Sequence, residues 1–408
     1  MQPYIFLVGK SDPQSETINS IRQLGYRVGI FYDDNTSLKH PEAYDTALAL
    51  NFNDIHASIT TLDINSLTIA GLVCTYENYV TAKAVLSEVL HVPSLSVTSA
   101  KMATDKYLMR DAFMKKDPTI TPRFAKVNSE EELLAFASSS QYPLILKPTN
   151  LVKSLLVLRC DNEKELRENF SYAQSMIHEL YKKYAIYDRQ PQLIVEEFIT
   201  GKSCSVAAFV DADGVPYFCN GIVGLTTARE HGVNDTYLYR RELPLTLDDH
   251  LSAKIFAVAR KGVEALEMRS SPAHIELMYD GDTVKIIEIG ARIGGYRPRM
   301  YKYSYGLALA EQEVLLSVGQ TPQVRGTFTA YSAVYELFPT REGMFKKVVG
   351  DVDTSRYTYF KVNAKENGHI GPAKNGYKAA AIVIVSHTDK VIFDELCKSV
   401  DTLRIEVA

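Results

Sequence analysis

Residues 274–295 read HIELMYDGDTVKIIEIGARIGG. Two apolar runs, His274 to Tyr279 and Val284 to Ile289, flank Asp280-Gly281-Asp282, and Asp-Gly supplies the positive φ values that tight hairpin turns need. The stretch therefore predicts an antiparallel hairpin with Glu276 and Glu288 facing each other across it. Paired carboxylates a few ångströms apart offer the hard oxygens that Mg²⁺ takes alongside phosphate oxygens and water. The same two acids also read as ordinary solvent-face residues. Glu288, however, lies in Ile286-Ile287-Glu288-Ile289, where burial is expected and an unpaired carboxylate would be costly.

Directly downstream, the glycines of Ile289-Gly-Ala-Arg-Ile-Gly-Gly295 let backbone N–H groups approach a ligand, and Arg292 adds a permanently charged fork. Arg292 reads as a carboxylate or phosphate clamp, or else as a surface salt bridge. Arg297 and Arg299 are weaker candidates of the same kind.

Upstream, Lys147 closes the apolar run of Tyr-Pro-Leu-Ile-Leu-Lys147 just before Pro148, which presents its ammonium at a strand end, where α/β proteins place phosphates. Lys106, in Thr-Asp-Lys-Tyr, is less distinctive. In Leu193-Ile-Val-Glu-Glu-Phe-Ile-Thr-Gly201 an apolar strand meets two acids and a glycine turn. Successive strand residues point oppositely, so one of Glu196 and Glu197 should face inward, where a carboxylate can accept a proton from an exocyclic amine. A strand-end charge pair is the plainer reading.

Farther out, Tyr4 to Val8, a helix from about Ser15 to Leu24, and Arg27 to Tyr32 make a βαβ start. Ile69 to Thr75 is a buried-type strand, Tyr79 to Leu90 a helix, and Pro93 to Leu95 a short strand, so a parallel sheet covered by helices is expected over residues 1–100. One helix from Ala100 to Lys115 then leads into a lid over 101–200, with strands at Phe124 to Val127, Leu144 to Lys147 and Ser154 to Leu158 and helices at Glu130 to Ser138 and Asn162 to Tyr184. A strand-rich catalytic part over 201–320 includes Ser203 to Val210, Val215 to Val223 and a helix at Leu247 to Leu266. Residues 321–408, with strands at Thr327 to Leu337 and Tyr377 to Ser386 and a helix at Lys390 to Leu403, form a C-terminal α+β domain. The fold class is α/β plus α+β.

At 408 residues the chain exceeds what one core supports, which agrees with several domains. Its 46% apolar and 23% charged residues are those of a folded globular protein. A net charge of −4 argues against a surface built for nucleic acid. The five cysteines are scattered, with no CxxC pair, so neither zinc nor a disulfide framework is indicated, and a cytoplasmic location is expected. No apolar run is long enough to cross a membrane.

In chain order, Lys106, Lys147, Glu196-Glu-Phe-Ile-Thr-Gly201, His274-Ile-Glu276 and Glu288-Ile-Gly-Ala-Arg-Ile-Gly-Gly295 resemble the ATP-grasp superfamily of ligases, most of all the L-amino-acid ligases that form dipeptides. The resemblance implies ATP and Mg²⁺ as cofactors, with Mn²⁺ as a substitute, and activation of a small carboxylate as an acyl phosphate for attack by an amine. It implies that Lys106 and Lys147 touch phosphates, Glu196 lies at the adenine amino group with Glu197 beside it among the nucleotide-binding residues, and the backbone of Phe198 and Ile199 meets the ring nitrogens. Ser203 would face the ribose, and Lys153 and Ser154 would contact phosphates from the lid. Glu276 and Glu288 would hold one magnesium, with Arg292, His274 and Arg241 as catalytic groups. Glu77, Glu230, His231 and Gly294 would line the substrate pocket. A homodimer is compatible with the resemblance. A non-catalytic MgATP-binding regulator and a bicarbonate-dependent carboxylase are the alternatives.

Three positions depart from the family pattern. The lid loop 148–154 lacks the usual glycines, Ser203 replaces an acid, and Gly290 stands where an Asn commonly supplies a further metal ligand. A second magnesium would therefore rely on water or phosphate.

Overall fold

The computed structural model describes residues 2–10, 16–62, 64, 66–151, 155–183, 190–233, 235 and 237–408. The first layer is a parallel sheet of β1 (Tyr4–Val8), β2 (Arg27–Asp33), β3 (Thr46–Leu50) and β4 (Ile69–Val73) in the order β3-β2-β1-β4, with helix α1 (Glu16–Gln23) between β1 and β2, α2 (Ile55–Thr60) between β3 and β4, and α3 (Val80–Leu90) following β4. All five residues of β1 are buried, as a strand covered on both faces requires.

The single helix expected over residues 100–115 is two helices, α4 (Val97–Thr104) and α5 (Lys106–Lys116). Asp105 breaks it: extended at φ −125°, it turns its carboxylate onto the N–H groups of Tyr107 and Leu108 and starts a new helix. Lys106 thus stands in the first turn of α5. Residues 93–95 are irregular rather than a strand.

The lid holds β5 (Phe124–Val127), α6 (Glu130–Ser138), β6 (Leu144–Pro148), β7 (Leu158–Cys160), α7 (Glu163–Lys183) and β8 (Leu193–Glu197), its strands antiparallel in the order β5-β8-β6-β7. Its own core includes Leu144, Leu146, Phe170 and Val195. β7 begins only at Leu158, three residues beyond the first described residue of the expected strand. Lys153 and Ser154 lie outside the described residues.

The largest sheet contains β9 (Lys202–Val210), β10 (Pro216–Phe218), β11 (Val223–Thr227), β12 (Leu238–Leu243), β13 (Ser271–Asp280), β14 (Thr283–Gly290) and β15 (Tyr331–Leu337). Helix α8 (Asp249–Ala265) covers one face, and α9 (Arg297–Tyr305) and α10 (Leu309–Ser317) follow the hairpin. The expected strand from Val215 to Val223 is divided between β10 and β11, where Gly221 takes φ +78°. Tyr239 to Arg241 belong to β12.

The C-terminal segment adds β16 (Gly343–Val349), β17 (Tyr359–Val362), β18 (His369–Ile370), β19 (Ala381–His387), α11 (Lys390–Val400) and β20 (Arg404–Val407). β15, β19 and β17 extend the large sheet directly, in the order β14-β13-β9-β11-β12-β15-β19-β17, so hydrogen bonding continues across residues 320 and 321. β16, β18 and β20 form a small separate sheet.

Candidate active site

β13 and β14 form the expected hairpin, with Glu276 opposite Glu288. The pairing depends on an irregularity: Leu277 opposes Ile286 but Glu276 opposes Glu288, so Ile287 is an extra residue in β14 and the ladder bulges there. Ile286 and Ile289 both lie in the core, while Glu276 and Glu288 keep 30% and 33% of their side chains exposed. The bulge thus lets the strand bury both isoleucines and still set Glu288 across from Glu276.

Other elements close on this pair. From α5, Lys106 Nζ lies 3.5 Å from Glu288 Oε2 and donates to the Leu151 carbonyl at 3.0 Å. The lid loop is rooted on the same helix end, where Asn150 donates to the Thr104 carbonyl and to the Asp105 carboxylate, and the Lys106 N–H bonds the Thr149 carbonyl. From the edge of the first sheet, Glu77 Oε2 pairs with Arg292 Nε at 2.8 Å. Glu77, Asn78, Lys106, Asn150 and Glu288 line one cleft.

Gly290 explains how Glu77 comes so near: a Cβ there would lie 2.9 Å from Glu77 Oε2, so the missing side chain leaves room for that carboxylate. Gly294 plays a similar part for His274, since a Cβ at 294 would sit 2.5 Å from Nδ1. His274 Nε2 lies 3.0 Å from Glu276 Oε1; a carboxylate only accepts, so the proton is on Nε2. His274 Nδ1 has no hydrogen-bond partner among the described residues.

Burial works to raise the Glu276 carboxyl, but the His274 hydrogen bond and the charges of Arg297 and Arg241 prevail and hold it at about 2. Burial lowers His274 against the pull of Glu276. Arg292 is desolvated as well, yet Glu77, Glu288 and Glu276 raise it. Arg241 pairs with Glu336 at 2.8 Å and lies over the Tyr296 ring. Arg297, a weak candidate in sequence, is 2% exposed and donates to Ser205, while Arg299 stacks on Tyr359.

At the lid, Glu196 is the inward acid and Glu197 the outward one, paired with Arg123 at 3.3 Å. Glu196 opposes Ile145, and Lys147, two residues along β6 on the same face, reaches it diagonally at 2.7 Å. Arg110 holds its other oxygen at 2.8 Å. Burial would raise Glu196, but Arg110 and Lys147 outweigh it and bring the carboxyl to about 2. Burial draws Lys147 down in spite of Glu196. Both Glu196 oxygens are engaged by cations, so an adenine amine there would share an occupied carboxylate. The Phe198 N–H is likewise committed, to the Pro143 carbonyl, and the Phe198 ring lies under Arg159. The Ile199 N–H makes no backbone hydrogen bond among the described residues.

Ser203 lies on β9 between Leu225 and Met278. Glu230 caps its own turn, accepting from the Thr227 N–H and hydroxyl, and His231 rests against Tyr239. Arg110 and Asn150 were not legible as site residues.

The family model of the ATP-grasp domain matches residues 140–298. The alanine–anticapsin ligase of Bacillus subtilis (strain 168) is 26% identical over 248 residues, a match covering 58% of this chain and 51% of that protein, so the chain aligns with about half the length of this curated relative. The crystal structure of an L-amino acid ligase from Bacillus licheniformis superposes with a TM-score of 0.80 at 19% identity, over 100% of this chain and 99% of the other. The biotin carboxylase domain of the Hydrogenobacter thermophilus 2-oxoglutarate carboxylase, solved with MgADP and bicarbonate, gives 0.70 at 15% identity, over 99% and 90%. Sequence match and fold agree that residues 140–298 carry an ATP-grasp domain, within a chain whose overall fold is that of the L-amino acid ligase structure.

Proposed function

We propose that the chain is an ATP-dependent carboxylate–amine ligase that joins amino acids and forms ADP. The observation that carries this reading is the convergence on one cleft of Glu288, placed opposite Glu276, with Lys106 and with Glu77 paired to Arg292.

The donor set fits magnesium: two hard carboxylates lie opposite each other, and among the described residues no group of three His, Cys, Asp or Glu side chains is arranged to hold a metal. Phosphate and water oxygens would complete the shell of one ion. When bound, Mg²⁺, or Mn²⁺ in its place, neutralises charge on the phosphates.

Phosphoryl transfer needs positioning and fixed cations more than a side-chain nucleophile. Lys106 and Lys147 bind phosphate oxygens in this reading. The substrate carboxylate attacks the γ-phosphorus, the bond to the β-phosphate oxygen breaks, and ADP leaves. The second substrate's amine then attacks the acyl carbon, phosphate departs and the amine nitrogen loses a proton. In this reading Arg292 stabilises the oxyanion of that tetrahedral intermediate, and Glu77, paired with it, holds a substrate ammonium.

The test is ADP and phosphate release across a panel of amino acid pairs, with dipeptide detected by mass spectrometry. Pair-dependent release that Glu288→Gln abolishes supports the reading. Release that requires bicarbonate, or tight MgATP binding with no turnover on any pair, overturns it.

A further inference from the structure

Arg110 is among the most buried side chains of the molecule, at 1% exposure, and it lies one helical turn after Lys106 on α5. Its guanidinium faces two ways. Toward the lid, Nε and one terminal nitrogen hold Glu196 at 2.8 and 3.4 Å. Toward the large sheet, the terminal nitrogens donate to the carbonyls of Ile286 at 3.1 Å and Ile287 at 2.8 Å.

Those carbonyls belong to the bulge, and Ile287 is its extra residue. Without the bulge, the register running from Asp280 opposite Thr283 to Leu277 opposite Ile286 would continue to Glu276 opposite Ile287 and Ile275 opposite Glu288. A one-residue slip moves a side chain to the other face of the sheet, so Glu288 would turn toward the core side with Ile275. We infer that Arg110 is a positioning residue: by fastening the Ile286 and Ile287 carbonyls it fixes the bulge and so sets Glu288 opposite Glu276. Lys106 and Arg110 then address one acid from one helix, the first at its carboxylate and the second through the backbone of the two residues before it.

This rests on the magnesium reading of Glu276 and Glu288. Binding of a β,γ-imido ATP analogue is measured by calorimetry over a series of Mg²⁺ concentrations, with thermal melting as a check on folding. Loss of an outer-shell partner lowers metal affinity by about 10–100-fold. Arg110→Met is therefore expected to raise the Mg²⁺ concentration for half-maximal analogue binding about tenfold or more, and to change metal-free binding less than about twofold. Arg110→Gln, which can still donate to one carbonyl, gives a smaller rise and serves if the Met variant fails to fold. In a Glu288→Gln background, Arg110→Met adds less than about a twofold further change, because the two act through one acid. Equal losses with and without Mg²⁺, an unchanged Mg²⁺ requirement, or full additivity with Glu288→Gln overturns the inference. Absence of Mg²⁺-dependent binding in the wild type overturns the parent reading instead.

Discussion

Two carboxylate sites on neighbouring sheets are built on opposite principles. At the end of β8, Glu196 is 3% exposed and both its oxygens are filled, by Arg110 and Lys147 at 2.8 and 2.7 Å. On the hairpin, Glu276 and Glu288 stay about one-third exposed, and the Lys106 ammonium beside Glu288 is 3.5 Å away. A saturated, buried acid is committed to holding elements together. An acid with open coordination can accept a ligand. The same residue type thus serves as a joint in one place and, in the proposed reading, as a binding group in the other.

The sharpest way to break this comparison is to neutralise one acid at each site. Glu196→Gln leaves Arg110 and Lys147 buried against a neutral partner, and breaking a buried pair costs about 3–5 kcal/mol. A large drop in denaturant midpoint is expected. Glu288→Gln removes a partly exposed acid whose loss the fold tolerates; its melting temperature should hold within a few degrees while kcat falls about 10²–10³-fold, as when one preorganised electrostatic group is lost. Denaturant titration and ADP release separate the two. If both variants lose stability alike, the division between joint and binding group is wrong.

The same contrast predicts acid behaviour. Glu196 is held below its ordinary value of 4.5, at about 2. A depressed carboxyl stabilises the fold above its unfolded value, and that contribution disappears as pH falls from about 4.5 toward about 2. The stability gap between wild type and Glu196→Gln should therefore be full at neutral pH and narrow through that window. A gap that persists undiminished at the acid end of the window would show that packing, not charge, carries the effect.

Gly290→Asn probes the hairpin side at intermediate scale. The new Cβ would fall 2.9 Å from Glu77 Oε2, the end of a flexible side chain that can move at modest cost. If the proposed ligase reading holds, Glu77 should shift off Arg292, raising KM for the amine-donating amino acid about tenfold, on the order of 1.4 kcal/mol of lost binding, with little change in melting temperature. A rise in KM for ATP alone would place Glu77 elsewhere.

What could be read in advance follows the range of the contacts. The hairpin was legible because Asp280-Gly281 marks the turn and the two acids lie close in sequence on strands of plain apolar pattern. That one of Glu196 and Glu197 faces inward was legible because strand alternation forces one of two adjacent acids inside; which of the two it is was not. Arg110 was not, because its partners lie 86, 176 and 177 residues away and nothing local distinguishes it from a surface helix arginine. The break at Asp105 was missed because apolar periodicity runs across it, although Asp followed by a helical run is itself a capping signal. β16 escaped notice because only Phe345 of its seven residues is buried, and β18 and β20 because they are short; the pairing of all three is set by distant strands.

The smallest expected effect lies one residue from the largest. Glu197 points outward from the same strand, paired with Arg123 at 3.3 Å, with 32% and 50% of the two side chains exposed. Water screens such a pair, and exposed ion pairs contribute about 0.2–1 kcal/mol. Glu197→Gln should therefore move the denaturant midpoint only slightly, and added salt should shrink the difference further, whereas salt should barely alter the loss in Glu196→Gln. Since Arg123 also donates to the Ser139 carbonyl at 2.7 Å, it keeps a partner when Glu197 is neutralised. A Glu197 variant as unstable as the Glu196 variant would mean that the strand end, and not the buried triad of Arg110, Glu196 and Lys147, sets the stability of the lid.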